Sequence, residues 1–142
     1  GESINFKDLL YGTMVRSANE GANLIAETLY GSVPAFAEVM NEAAAMYGCT
    51  GTHFANANGL HDPNHYTTAR DMAKIAQAAM QNETFRDIAN LIECVAMFYF
   101  IKGLPVFRIV TEPCADRFLL LSGLSVALHH ALDVGGFGGR ED

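Results

Sequence analysis

Ser17 and Asn19, in the run Arg16-Ser17-Ala18-Asn19-Glu20, place a hydroxyl and a carboxamide on the same side of a short loop. A hydroxyl donates and accepts at once, and a carboxamide offers a donor at one end and an acceptor at the other. The pair is therefore suited to proton handling and to holding polar groups. Alone, the pattern is short and common, and Ser17 then reads first as the N-cap of the helix that follows, worth about 1 kcal/mol. A second cluster is His53, His61 and His65 with Asp62, whose spacing in a loop can in principle bring metal ligands together. Arg70-Asp71 reads as an anchor rather than a catalyst, the arginine pairing with loop carbonyls or a carboxylate and Asp71 supporting a helix start. His129-His130 are adjacent and point apart on a helix, which makes them a poor ligand pair.

The elements that must position these residues are mostly helical. Phe6, Leu9, Leu10 and Met14 recur at helical spacing over 5–14, and Ser17 to Glu20 leads into a second helix to about Leu29. In that helix Ala22, Leu24, Ile25, Ala26 and Leu29 form the apolar side, with Asn23 and Glu27 opposite. Ser32 caps a third helix with Pro34 in its first turn, and Gly48 stops it. Its inward positions are Phe36, Val39, Met40, Ala43, Ala44 and Met46, and Met72 and Met80 join them as core candidates. Residues 49–68 are polar and rich in turn formers and read as a long ordered loop. Thr67 or Thr68 caps a fourth helix over 69–80, and a short fifth ends near Asn90. Composition then changes. Residues 93–101 and 106–110 are strand-like around a Lys102-Gly103-Leu104-Pro105 turn, and 116–132 read as a helix. The division is therefore a helical lobe over 1–90 and a tail over 91–142 with a hairpin and a helix.

Several function classes are excluded by composition. Sixteen acids against nine bases give a formal charge of −7, which provides no basic field for nucleic acid. No run of roughly 18–20 apolar residues occurs, so no transmembrane segment is expected. Half of the 142 residues are apolar, enough for a packed core. Cys49, Cys94 and Cys114 form no CxxC pair and read as ordinary small side chains.

Five further stretches stand in order around the Ser-x-Asn run. They are Phe6-Lys7-Asp8-Leu9-Leu10-Tyr11-Gly12, Phe36-Ala37-Glu38-Val39-Met40-Asn41, Thr52-His53-Phe54-Ala55-Asn56, Gly59-Leu60-His61-Asp62 and His65-Tyr66-Thr67-Thr68-Ala69-Arg70-Asp71. Together they resemble the serine-type D-alanyl-D-alanine carboxypeptidases, the low-molecular-mass penicillin-binding proteins of peptidase family S11. The resemblance implies a mainly α architecture, the helical lobe of a penicillin-binding, β-lactamase-like fold. It implies Ser17 and Asn19 as catalytic residues. In the family a serine activated by a lysine, both on an SxxK helix, attacks the acyl-D-Ala-D-Ala bond. Ser17 would relay a proton between that lysine and the leaving D-alanine, and Asn19 would hold the lysine and the substrate amide. The implied partners are peptidoglycan stem peptides and β-lactams, outside the cytoplasmic membrane, with no metal or organic cofactor. The three loop histidines fall in a stretch that the resemblance makes structural.

Two departures from the family pattern bear on activity. Neither SxxK nor KTG occurs in the 142 residues, and Phe100-Ile101-Lys102-Gly103 is the nearest approach to the latter. The expectation is a part of such an enzyme, inactive alone. The alternative is a non-catalytic interaction module that reuses the helical lobe and self-associates through residues 93–110.

Overall fold

The computed structural model describes residues 1–91. The hairpin expected over 93–110, the helix over 116–132, Lys102, Cys94, Cys114 and His129-His130 lie outside the described residues, as does the proposed pairing surface.

Four helices account for most of the described chain, in the order α1 (Phe6–Arg16), α2 (Asn19–Tyr30), α3 (Val33–Met46) and α4 (Ala69–Ala79). Residues 83–91 form a fifth, α5. The mainly helical expectation holds: among the described residues, the one piece of β structure is an isolated antiparallel bridge between His53 and Tyr66.

Local chemistry explains most boundaries. The Asn5 side chain accepts the Lys7 N–H at 2.9 Å and opens α1. Ser32 accepts the Ala35 N–H at 3.2 Å to open α3, which carries Pro34 in its first turn. Thr68 does the same for α4 through the Asp71 N–H, at 3.1 Å. Asn82 accepts the Phe85 N–H at 3.0 Å and opens α5. Each such cap is worth about 1 kcal/mol. Gly31, Gly48 and Gly59 take up left-handed backbone where the chain reverses. No serine caps α2. Its N-cap is Ala18, which makes no side-chain cap hydrogen bond.

One core joins every element: Leu10 and Met14 of α1, Ile25 of α2, Phe36 and Met40 of α3, Ile75 of α4 and Ile88 of α5. Phe54 and Ala57 carry the long loop into the same core, Phe54 only 1% exposed. Cys49 is buried there as an ordinary small side chain, and burial pushes its thiol up. α2 lies against both α1 and α3.

Four residues expected inside are on the surface: Phe6, Leu24, Met46 and Met80. Met46 and Met80 sit at the last residue of α3 and the C-cap of α4, beyond the reach of the neighbouring helices. Phe6 opens α1, and Leu24 faces a groove described below. Helical spacing identifies the centre of an apolar stripe, whereas its ends and edges depend on what packs alongside.

Candidate functional site

The junction between α1 and α2 is where Ser17 and Asn19 lie. Ser17 ends α1 in left-handed backbone, φ 56° and ψ 47°, and is the one non-glycine residue at positive φ among the described residues. The Thr13 carbonyl accepts both the Ser17 N–H and, at 3.2 Å, the Ala18 N–H. The expected N-cap role is thus overturned: Ser17 terminates the preceding helix through its backbone, and its hydroxyl caps nothing. A left-handed conformation costs an L-residue with a Cβ about 1 kcal/mol or more, and glycine usually fills this position. Ser17 and Asn19 are both half-buried, and neither side chain makes a hydrogen bond among the described residues.

The two helices approach closely at this junction. Gly21 of α2 faces Thr13 of α1, and a Cβ built on Gly21 would lie 2.1 Å from Thr13 Oγ1. A groove of about 420 Å³ is lined by Ile4, Leu9, Gly12, Leu24 and the alternate residues Arg16, Ala18 and Glu20 of the junction. Ser17 and Asn19 are not in its wall.

The long loop is held against α4 by side-chain clips. Asp71, 2% exposed, accepts the Gly51 N–H at 2.7 Å and the Thr52 hydroxyl at 3.0 Å. Lys74 Nζ bonds to the other Asp71 oxygen at 3.1 Å and to the Gly48 carbonyl. The Gly51 N–H above all, with Lys74 and Thr52, holds the Asp71 carboxyl below the usual carboxylate range against the opposing effect of burial. Arg70, expected to be the anchor, is exposed and makes no ion pair or hydrogen bond among the described residues. Lys74 is the cation that reaches the loop, because it lies one helical turn beyond Asp71 on the same face.

The sign of the acid response follows. A carboxyl whose folded-state pKa is lowered stabilises the fold above its unfolded value, near 4, and loses that contribution as pH falls through the lower folded value. Asp71→Asn is expected to lower the melting temperature at pH 7 by roughly 5–15 °C. It should also flatten the acid limb below pH 4, which thermal melts from pH 2 to pH 7 would measure.

Two of the three loop histidines are occupied structurally, and His61 is exposed. His53 Nδ1 bonds to the Asn64 carbonyl at 2.6 Å and the ring stacks on Tyr66. The Ala55 N–H donates to His65 Nδ1 at 3.2 Å. Among the described residues, no group of three or more His, Cys, Asp or Glu side chains could hold a metal ion.

Asparagines do the work that sequence reading missed. Asn41 of α3 pairs both ways with the Phe54 backbone, donating to its carbonyl at 2.9 Å and accepting its N–H at 2.7 Å. Asn56 closes the 56–60 turn by accepting the Gly59 N–H at 2.8 Å and donating to the Leu60 carbonyl, also at 2.8 Å. Asn58 donates to Asn23 Oδ1 of α2 at 3.3 Å and accepts the Leu60 N–H at 3.1 Å. The signal was present in one case: Asn41 follows an apolar helical stripe at a half-buried position, where a polar side chain needs a partner.

The D-alanyl-D-alanine carboxypeptidase family model matches residues 1–100. The chain is similar to D-alanyl-D-alanine carboxypeptidase DacA of Haemophilus influenzae, 42% identical over 72 residues, covering 51% of this chain and 18% of that protein. It is 37% identical over 97 residues to a D-alanyl-D-alanine carboxypeptidase of Streptomyces sp. strain K15, covering 63% of this chain and 33% of that protein. DacF of Bacillus subtilis is 32% identical over 93 residues, which cover 66% of this chain and 24% of that protein. The chain thus spans a third or less of the length of these three relatives. With the family model covering most of its residues, the chain belongs to the D-alanyl-D-alanine carboxypeptidase family, peptidase family S11.

Proposed function

We propose that the α1–α2 junction is the Ser-x-Asn arm of a serine D-Ala-D-Ala carboxypeptidase site, with Ser17 and Asn19 as its catalytic residues. The observation that carries the reading is the placement of Ser17. A serine occupies a left-handed helix terminus where glycine would be less strained, and its hydroxyl is half-exposed with no hydrogen bond among the described residues. The helix end accounts for the left-handed backbone but not for a serine in place of glycine, and a serine there fits a hydroxyl kept for chemistry. Asn19, at the first position of α2, brings a carboxamide with both ends available beside it.

In the proposed reaction a serine acylated by the substrate releases D-alanine, and water then cleaves the acyl-enzyme. Ser17 passes a proton from the activating lysine to the departing D-alanine nitrogen, and Asn19 holds the lysine and the substrate amide. Nucleophile and lysine belong to an SxxK motif that these 142 residues do not contain. The substrate would be a peptidoglycan stem peptide, β-lactams would act as its mimics, and the setting would be outside the cytoplasmic membrane. Among the described residues no helix is long and apolar enough to cross a membrane.

The test is recognition rather than turnover. Titrating the nitrogen-15-labelled chain with diacetyl-L-Lys-D-Ala-D-Ala should move the Asn19 side-chain resonances, with weak, millimolar-range affinity. An unmoved Asn19 at saturating peptide would contradict the reading.

A further inference from the structure

We infer that Asn23 and Asn58 form a second recognition point, one that reads the peptide backbone on the acyl side of the D-Ala-D-Ala unit. The inference rests on the proposed Ser-x-Asn arm. Asn19 and Asn23 lie four residues apart on α2 and therefore on one face, with their Cβ atoms about 6 Å apart. Both are half-buried. In an extended peptide the groups that point to one edge repeat every second residue, at about 6.6 Å. The two carboxamides therefore match the repeat of a strand-like ligand laid along α2.

Asn58 extends the row from the loop side. Its Nδ2 donates to Asn23 Oδ1 at 3.3 Å, and its own Oδ1 is taken by the Leu60 N–H at 3.1 Å. The turn that carries it is closed by both ends of the Asn56 carboxamide and by Gly59 in left-handed backbone. Each Oδ1 already accepts one hydrogen bond, while Asn23 Nδ2 keeps both of its N–H groups and Asn58 Nδ2 one, donors that complement peptide carbonyl oxygens. Leu60 stands beside them with 52% exposure and gives the apolar flank that a peptide side chain would meet. Asn41 shows in the same fold that an asparagine carboxamide can pair with a backbone peptide group at 2.7 and 2.9 Å. A carboxypeptidase substrate ends at its terminal D-alanine, so no peptide continues beyond the leaving group. A row that continues past Asn19 therefore meets the acyl side.

The experiment uses the full 142-residue chain, labelled with nitrogen-15, and two probes: diacetyl-L-Lys-D-Ala-D-Ala and the bare dipeptide D-Ala-D-Ala. The tripeptide is expected to move the side-chain NH2 resonances of Asn19, Asn23 and Asn58, and the dipeptide those of Asn19 alone. Asn58→Asp keeps an acceptor for the Leu60 N–H and removes the donor. It should weaken tripeptide binding about three- to tenfold and leave dipeptide binding unchanged. Asn23→Asp, which keeps the acceptor for Asn58, should do the same and serves if Asn58→Asp unfolds the loop. Movement of Asn19 with Asn23 and Asn58 still, or equal weakening of both probes, would overturn the subsite while leaving the Ser-x-Asn reading intact. No movement at Asn19 with either probe would overturn both.

Discussion

Gly21→Ala is expected to destabilise the fold by about 2–3 kcal/mol, a fall of roughly 10–20 °C in melting temperature for a domain of this size. Propensity alone predicts the opposite, since alanine is favoured over glycine inside a helix by about 1 kcal/mol. Packing reverses the sign. The new Cβ would stand 2.1 Å from Thr13 Oγ1 and 3.2 Å from Thr13 Cβ. Thr13 cannot swing away freely, because it is 1% exposed and its hydroxyl donates to the Leu9 carbonyl at 2.7 Å. Relief therefore requires α1 and α2 to separate, which opens the core between Met14 and Ala22. Thr13→Ala in the same chain removes the obstructing oxygen, so the double variant should recover most of the loss. Such strong non-additivity is expected of residues in contact and not of distant ones. Equal or greater stability of Gly21→Ala alone would show that the helices are not this close.

Asn41→Ala is expected to cost about 2–4 kcal/mol, because it strands two backbone groups at once. The Phe54 N–H and carbonyl both pair with this one carboxamide, and Phe54 lies in the core at 1% exposure. A buried group left without its partner loses more than a hydrogen bond is normally worth, since water cannot replace it. Asn41→Gln should not rescue, because the extra methylene moves both ends of the amide out of register. Urea denaturation would read the loss, and amide exchange at Phe54 would localise it to the loop. A change below about 0.5 kcal/mol, the range of an ordinary surface substitution, would contradict the clip.

Both positions show what the sequence could and could not carry. The helices were legible because their signals are local: Ser32 and Thr68 as caps, Gly48 as a stop, and Leu10, Met14, Phe36 and Met40 at core spacing. The Ser17-x-Asn19 pair was legible as a motif. Its backbone was not, because serine before a helix is more often a cap than a left-handed terminus. The Gly21–Thr13 approach, the Asn41 clip and the exchange of Lys74 for Arg70 all depend on partners eight or more residues away in sequence, or on which face a side chain takes. Periodicity does not encode such pairings. The edges of the apolar stripe failed for the same reason, Leu24 and Met46 being exposed at 43% and 67%.

Ser17→Gly separates chemistry from structure most directly. Glycine relieves the left-handed strain, so the melting temperature should hold or rise by several degrees, the equivalent of up to about 1 kcal/mol. The hydroxyl is lost with it. Measured together on one preparation, the account predicts a fold at least as stable whose Asn19 resonances still respond to diacetyl-L-Lys-D-Ala-D-Ala, because Asn19 holds the substrate amide and Ser17 only passes a proton. A variant that melts lower would contradict it, and would make Ser17 a structural residue.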